Sequence, residues 1–241
     1  MIPSFAQKGM LSHFFSFSFI SGLAVLLIFT SKPAGKMNST YTLLCLGDSY
    51  TVGESVPPAE NFPNQAIQLL RQRDYGFESP ELVAKTGWTT DELQKAIDER
   101  QLKSHYDFVT LLIGVNDQYR GRPVEDYQTQ FESLLKQAIH FAQGRASHVI
   151  VLSIPDWGVT PFAKASGRKQ ADISKEIDAY NAVNREISDR YHVNYINITP
   201  ATRMAVNDAS LIARDGLHPS CKEYAKWAEM VSDLIMLKCN D

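Results

Sequence analysis

Short, continuous apolar runs alternate along residues 37–241 with longer stretches in which apolar side chains return every three or four positions. The runs cover 42–46, 81–84, 108–113, 148–154 and 193–198; the first, third and fourth stop at Gly47, Gly114 and Pro155. A strand that is apolar at successive positions is buried on both faces, as in a parallel sheet covered by helices. Between the runs lie helical patterns. Thr89 and Glu92 make a capping box for a helix reaching about Arg100. Pro123 suits the first turn of the next, whose stripe is Tyr127, Phe131, Leu134, Leu135, Ala138, Ile139 and Ala142 and whose end is Gly144. Ile173, Ile177, Tyr180, Val183, Ile187 and Tyr191 form a third stripe, and a last helix is expected over 219–237. Strand–helix alternation with right-handed crossovers predicts a three-layer α/β/α fold around five parallel strands in the flavodoxin-like order 2-1-3-4-5.

In a sheet of that order the strand sequence reverses between strands one and three, and ligands bind beyond the carboxyl ends at that point. Strand one runs into Gly47-Asp48-Ser49 and strand three into Gly114-Val115-Asn116-Asp117. The loop after strand two carries Thr86-Gly87-Trp88, and the region after strand five carries Asp215-Gly216-Leu217-His218. Each loop holds a residue type that acyl transfer requires. A serine hydroxyl needs a base to become a nucleophile, and His218 can take the proton of Ser49 while Asp215 holds the other imidazole nitrogen. The oxyanion needs donors, which the amide of Asn116 and the backbone N–H groups of Gly87 and Ser49 can supply. Asp48 and Asp117 read as residues that fix loop hydrogen bonds. Trp157 and Phe162, after strand four, are candidates to line a substrate cleft, although Trp157 serves equally as core. Arg120 and Arg122 follow the Asn116 loop and are placed either to hold an anionic substrate group or to stand in solvent.

LGDSY at 46–50, Gly87, GVND at 114–117 and DGLHPS at 215–220 follow one another in the order of the four blocks of the GDSL/SGNH hydrolases, and residues 41–235 resemble that family. The stretch at 50–54 is similar to a bacterial subgroup of it. The resemblance implies the SGNH hydrolase fold, a triad of Ser49, His218 and Asp215, an oxyanion hole of Ser49, Gly87 and Asn116, and no metal or organic cofactor. One departure is Cys221, where relatives often carry glycine; it reads as a tolerated small residue. The expected activity is hydrolysis of carboxylic acyl esters through an acyl-enzyme, on acetylated carbohydrate, a lysophospholipid or a small acyl ester. Two other readings are an acyltransferase or thioesterase on the same fold, and a catalytically silent carbohydrate-binding domain. No GxSxG, Walker A, GxGxxG or HExxH sequence is present.

Charge and cysteine content narrow the partners. The chain has 241 residues and a net charge of −3. The first 36 residues hold Lys8, Lys32 and Lys36 and no acid, so the remainder carries 21 bases against 27 acids. A mildly acidic domain without basic clusters argues against nucleic acid as a partner. Cys45, Cys221 and Cys239 suggest neither a disulfide framework nor a zinc site. Residues 11–30, LSHFFSFSFISGLAVLLIFT, lie behind Lys8 and resemble an export signal or a single membrane anchor, which makes residues 1–36 an appendage and 37–241 the domain. On that reading the domain is extracytoplasmic, secreted or associated with a membrane through residues 11–30. Against it, no small-x-small cleavage pattern follows and lysines flank both sides. The other reading starts the protein at Met37 and places it in the cytoplasm.

Overall fold

The computed structural model describes residues 40–240. Five strands, β1 Leu43–Gly47, β2 Glu81–Ala84, β3 Phe108–Leu112, β4 Val149–Leu152 and β5 Asn194–Ile196, form one parallel sheet in the order β2-β1-β3-β4-β5. Cys45 is opposite Leu82 on one side and Thr110 on the other, so β1 lies between β2 and β3. Every residue of β1, β3 and β4 is buried, as their continuous apolar runs require. The ladders of β3 and β4 are shorter than their runs. Ile113 and Ile154 lie beyond the paired residues but remain 1% exposed, because an apolar run reports burial and not pairing.

The helices are α1 Ser49–Val52, α2 Phe62–Gln72, α3 Thr90–Glu99, α4 Val115–Tyr119, α5 Val124–Phe141, α6 Pro161–Ser166, α7 Gln170–Arg190, α8 Thr199–Arg203 and α9 Cys221–Cys239. The sheet order makes the crossover from β1 to β2 run opposite to the later ones, so right-handed connections put α2 on one face and α3, α5 and α7 on the other. α9 packs against α2, closing the first face, and α5 packs against both α3 and α7 on the second.

Local chemistry accounts for the ends. The Thr89 N–H donates to the Glu92 carboxylate at 2.9 Å, as the capping box predicts. Past α5, Gln143 and Gly144 both take left-handed backbone. α2 has no counterpart among the apolar stripes expected from the sequence; Asn61 caps it by accepting from the Asn64 N–H, Pro63 occupies its first turn, and Phe62, Ala66, Ile67 and Leu70 are buried. α9 starts at Cys221 and not at 219, because Pro219 bridges to Ile212 and Ser220 is the cap. In α7 the buried line passes through Asn184 in place of Val183, and that amide is held by the hydroxyls of Tyr127 and Tyr195. Among the described residues no helix is long and apolar enough to cross a membrane. The segment 11–30 and the boundary at 36/37 lie outside the described residues.

Candidate active site

β1 ends at Gly47 and the chain turns at once into α1, so Ser49 stands at the carboxyl end of a strand flanked on both sides. The Asp48 side chain caps this turn, accepting the Tyr50 N–H at 3.0 Å. Ser49 is 5% exposed and His218 is 7% exposed. The His218 Nε2 lies 2.9 Å from the Ser49 Oγ, and the Nδ1 lies 2.5 Å from the Asp215 Oδ2. The other oxygen of Asp215 accepts the N–H groups of Leu217 at 2.9 Å and His218 at 3.0 Å, and the Ser55 hydroxyl donates to Oδ2 at 2.7 Å. Burial raises the Asp215 carboxyl, but the hydrogen bonds from His218, Leu217 and Ser55 outweigh it and bring the pKa down to about 2. Asp215 is therefore a carboxylate throughout the neutral range, facing the imidazole. The histidine loop is closed by Ala213, whose N–H donates to the His218 carbonyl at 2.7 Å.

Two further loops complete the mouth. Gly87 takes a φ of +87°, a backbone suited to glycine, in the turn after β2. Its carbonyl accepts from the Arg120 guanidinium at 2.7 Å, while Thr86 before it donates to the Glu54 carboxylate. Gly114 takes a φ of +126° at the end of β3, where a Cβ would also meet the Tyr127 ring at 2.5 Å; this sharp exit leads straight into α4 and Asn116. The Asn116 amide donates one N–H to the Trp88 carbonyl at 2.9 Å. An amide nitrogen carries two hydrogens, so this bond orients the side chain and leaves a second donor.

The cleft between these loops has a volume of about 160 Å³; its lining includes the polar residues Ser49, Gly87, Asn116 and His218 and the apolar side chains of Tyr119, Trp157, Phe162 and Leu217. Tyr119, Trp157 and Phe162 touch one another with ring centroids 5.4 to 6.1 Å apart. The backbone N–H of Phe162 donates to the Gly216 carbonyl at 2.9 Å, which ties this wall to the histidine loop. Among the described residues no three His, Cys, Asp or Glu side chains gather as metal ligands. The arrangement can pass a proton from a hydroxyl to an imidazole backed by a carboxylate, beside an apolar recess and three candidate oxyanion donors, the N–H groups of Ser49 and Gly87 and the Asn116 amide.

The four predicted blocks thus meet in one place. Trp157 is both core, at 2% exposure, and cleft wall. Arg120 does not line the cleft; its guanidinium is engaged by the Gly87 carbonyl and Glu92, so it braces the Gly87 loop and is not free for a substrate anion. Arg122 is paired with Asp91 and Asp117. Asp117 holds the Thr90 N–H and hydroxyl, at 3.1 and 2.8 Å, and so joins α4 to the start of α3. The sequence pattern misses Tyr119 and Ser55. Tyr119 had a signal in its place three residues after Asn116 on a one-turn helix; Ser55 had none.

A parallel sheet of this order with a serine, an imidazole and a carboxylate at its switch point is the build of an α/β carboxylic-ester hydrolase. Residues 45–226 match the model of the GDSL-like lipase/acylhydrolase family, and the chain belongs to that family. No curated protein matches it. Among solved structures it is similar to a lipase/acylhydrolase from Enterococcus faecalis, with 20% identity, a TM-score of 0.62 and coverage of 83% of this chain and 95% of that one. It is also similar to the esterase EstA from Pseudoalteromonas sp., with 19% identity, a TM-score of 0.61 and coverage of 83% and 100%. The acetylxylan esterase Axe2 from Geobacillus stearothermophilus has 20% identity, a TM-score of 0.64 and coverage of 82% and 94%. At these identities the likeness is one of fold.

Proposed function

We propose that the protein hydrolyses carboxylic acyl esters through an acyl-enzyme on Ser49. His218 takes the Ser49 proton as the Oγ attacks the ester carbonyl, and Asp215 stabilises the imidazolium that forms. The N–H groups of Ser49 and Gly87 and the free N–H of Asn116 receive the oxyanion. His218 then protonates the leaving alkoxide, and a water activated by the same imidazole releases the acid. The observation that carries this reading is the unbroken line of hydrogen bonds from Ser49 through His218 to Asp215, opening on an apolar cleft.

The cleft wall of Tyr119, Trp157 and Phe162 suits the acyl part of a short-chain ester: it offers apolar contact and is modest in volume. The experiment is hydrolysis of p-nitrophenyl esters from acetyl to long chain, with fluorophosphonate labelling, on wild type and Ser49→Ala. Wild type is expected to turn over short esters and to be labelled, and folded Ser49→Ala to do neither. Hydrolysis retained in that variant would refute the assignment of the nucleophile.

A further inference from the structure

The turn after α1 contains a conformational oddity next to the site. Ser55 has a φ of +67°, a left-handed backbone that costs a side-chain-bearing residue and costs glycine nothing. The turn is well tied: the Glu54 N–H donates to the Ser49 carbonyl at 3.1 Å, the Val56 N–H to the Gly53 carbonyl at 3.2 Å, and the Glu54 carboxylate receives Thr86. Glycine already occupies the neighbouring left-handed position at 53. What serine adds at 55 is a hydroxyl, and that hydroxyl donates to the Asp215 Oδ2 at 2.7 Å across 160 residues of sequence.

The oxygen it meets is the one that faces His218. The Asp215 side chain is 29% exposed, so water reaches the carboxylate. Two backbone N–H groups hold Oδ1, and Ser55 is the outer support of Oδ2. From this we infer that Ser55 is a positioning residue of the hydrolase: it holds Oδ2 of the Asp215 carboxylate against the imidazole Nδ1 and keeps it from turning to solvent. The inference rests on the Ser49–His218–Asp215 reading above. Ser55 touches none of the cleft-lining groups through this bond, so its effect belongs in turnover and not in substrate binding.

Loss of the hydroxyl frees Oδ2 to rotate toward water, where it supports the imidazolium less well. The acid limb of the pH–rate profile then moves to lower pH. Other titratable groups surround the pair: Tyr50, whose ring stands edge-on at 5.5 Å from His218, Tyr224 of α9, and the carboxyls of Asp48, Glu54 and Asp156. A change at Ser55 removes none of them.

The test uses the full chain with p-nitrophenyl acetate and the variants Ser55→Gly, Ser55→Ala, Asp215→Asn and the double variant of Ser55→Gly with Asp215→Asn. Ser55→Gly suits the left-handed backbone and is expected to be at least as stable to heat as wild type. Both single Ser55 variants are expected to lose kcat roughly tenfold, the scale of an outer hydrogen-bond partner, with KM unchanged and the acid limb at lower pH. In the Asp215→Asn background Ser55→Gly is expected to cost nothing further, since no carboxylate remains to be held. Wild-type kcat and limb position in Ser55→Gly, or an equal loss in both backgrounds, would overturn the inference while leaving the triad intact. An Asp215→Asn variant as active as wild type would overturn the triad reading and this inference together.

Discussion

The indole N–H of Trp157 donates to the side-chain oxygen of Gln118 at 2.8 Å, in the interior behind the apolar wall of the cleft that Ser49 lines. The Gln118 amide donates in turn to Glu176 at 2.5 Å, Glu176 pairs with Arg168 at 2.7 Å, and the Arg168 guanidinium lies 5.6 Å over the Trp157 ring. The ring of partners returns to its starting residue, so the cleft wall is supported from behind by α4 and α7. Gln118→Leu leaves a buried indole N–H unpaired and is expected to cost about 1–3 kcal/mol in urea unfolding, together with a higher KM for short esters. Unchanged stability would show that the indole finds another partner.

Phe162 is 36% exposed and forms the outer edge of the same wall. Phe162→Ala is expected to leave the fold intact and lengthen the recess. The ratio of kcat/KM for hexanoyl over acetyl p-nitrophenyl esters should rise by about 10-fold, the scale of a few methylene contacts. A constant ratio would remove Phe162 from acyl selection.

Asn116 and Asp215 separate by their pH signatures. Asn116→Ala removes an oxyanion donor and is expected to lower kcat on the order of 100–1,000-fold with the acid limb in place. Asp215→Asn removes the carboxylate that favours the imidazolium, so activity should fall and the limb move to lower pH. Paired profiles of kcat/KM check both, and a limb shift in Asn116→Ala alone would reverse the two roles.

Asp48 provides a pH effect on stability. Burial raises its carboxyl, the Tyr50 N–H opposes this, the neighbouring Asp117 adds to it, and the pKa is pushed up to about 8. One oxygen, Oδ2, is buried without a hydrogen-bond partner. In the unfolded chain the group ionises near an ordinary aspartate value of about 3.9. Between about pH 4 and 8 the folded state keeps a proton that the unfolded state has released, so this group's contribution falls as pH rises. Asp48→Asn removes the titration, so its stability relative to wild type is expected to improve steadily from pH 4 to pH 8 in urea unfolding. A difference independent of pH would show Asp48 to be ionised in the fold.

A chain beginning at Met37 is expected to be soluble, folded and active, since β1 starts at Leu43. Circular dichroism and ester hydrolysis test it. Aggregation of that chain beside an active full-length form would make residues 1–36 part of the working protein.

Much of this was legible in the linear pattern. The three apolar runs that end at Gly47, Gly114 and Pro155 read as strands buried on both faces, and β1, β3 and β4 are; the runs of β2 and β5 form the half-buried outer strands. The reversal between strands one and three then brings Ser49, Gly87, Asn116 and His218 together. The capping box at Thr89 and the stripe on α5 read correctly because helix ends and faces depend on residues three or four apart. α2 escaped because its pattern is short, although Asn61 and Pro63 marked its start.

What the sequence by itself determined is the five strands, their order in the sheet, the longer helices between them and the four loops at its mouth, all products of local periodicity and chain direction. Only the tertiary structure decided what the side chains beside those loops do. Arg120 braces the Gly87 carbonyl, Trp157 leans on Gln118 from 39 residues away, and Ser55 meets Asp215 from 160 residues away. Periodicity tells which side of an element faces the core, but a hydrogen bond between distant loops depends on where two backbones cross, and that is set by the packing of the whole sheet and its helices.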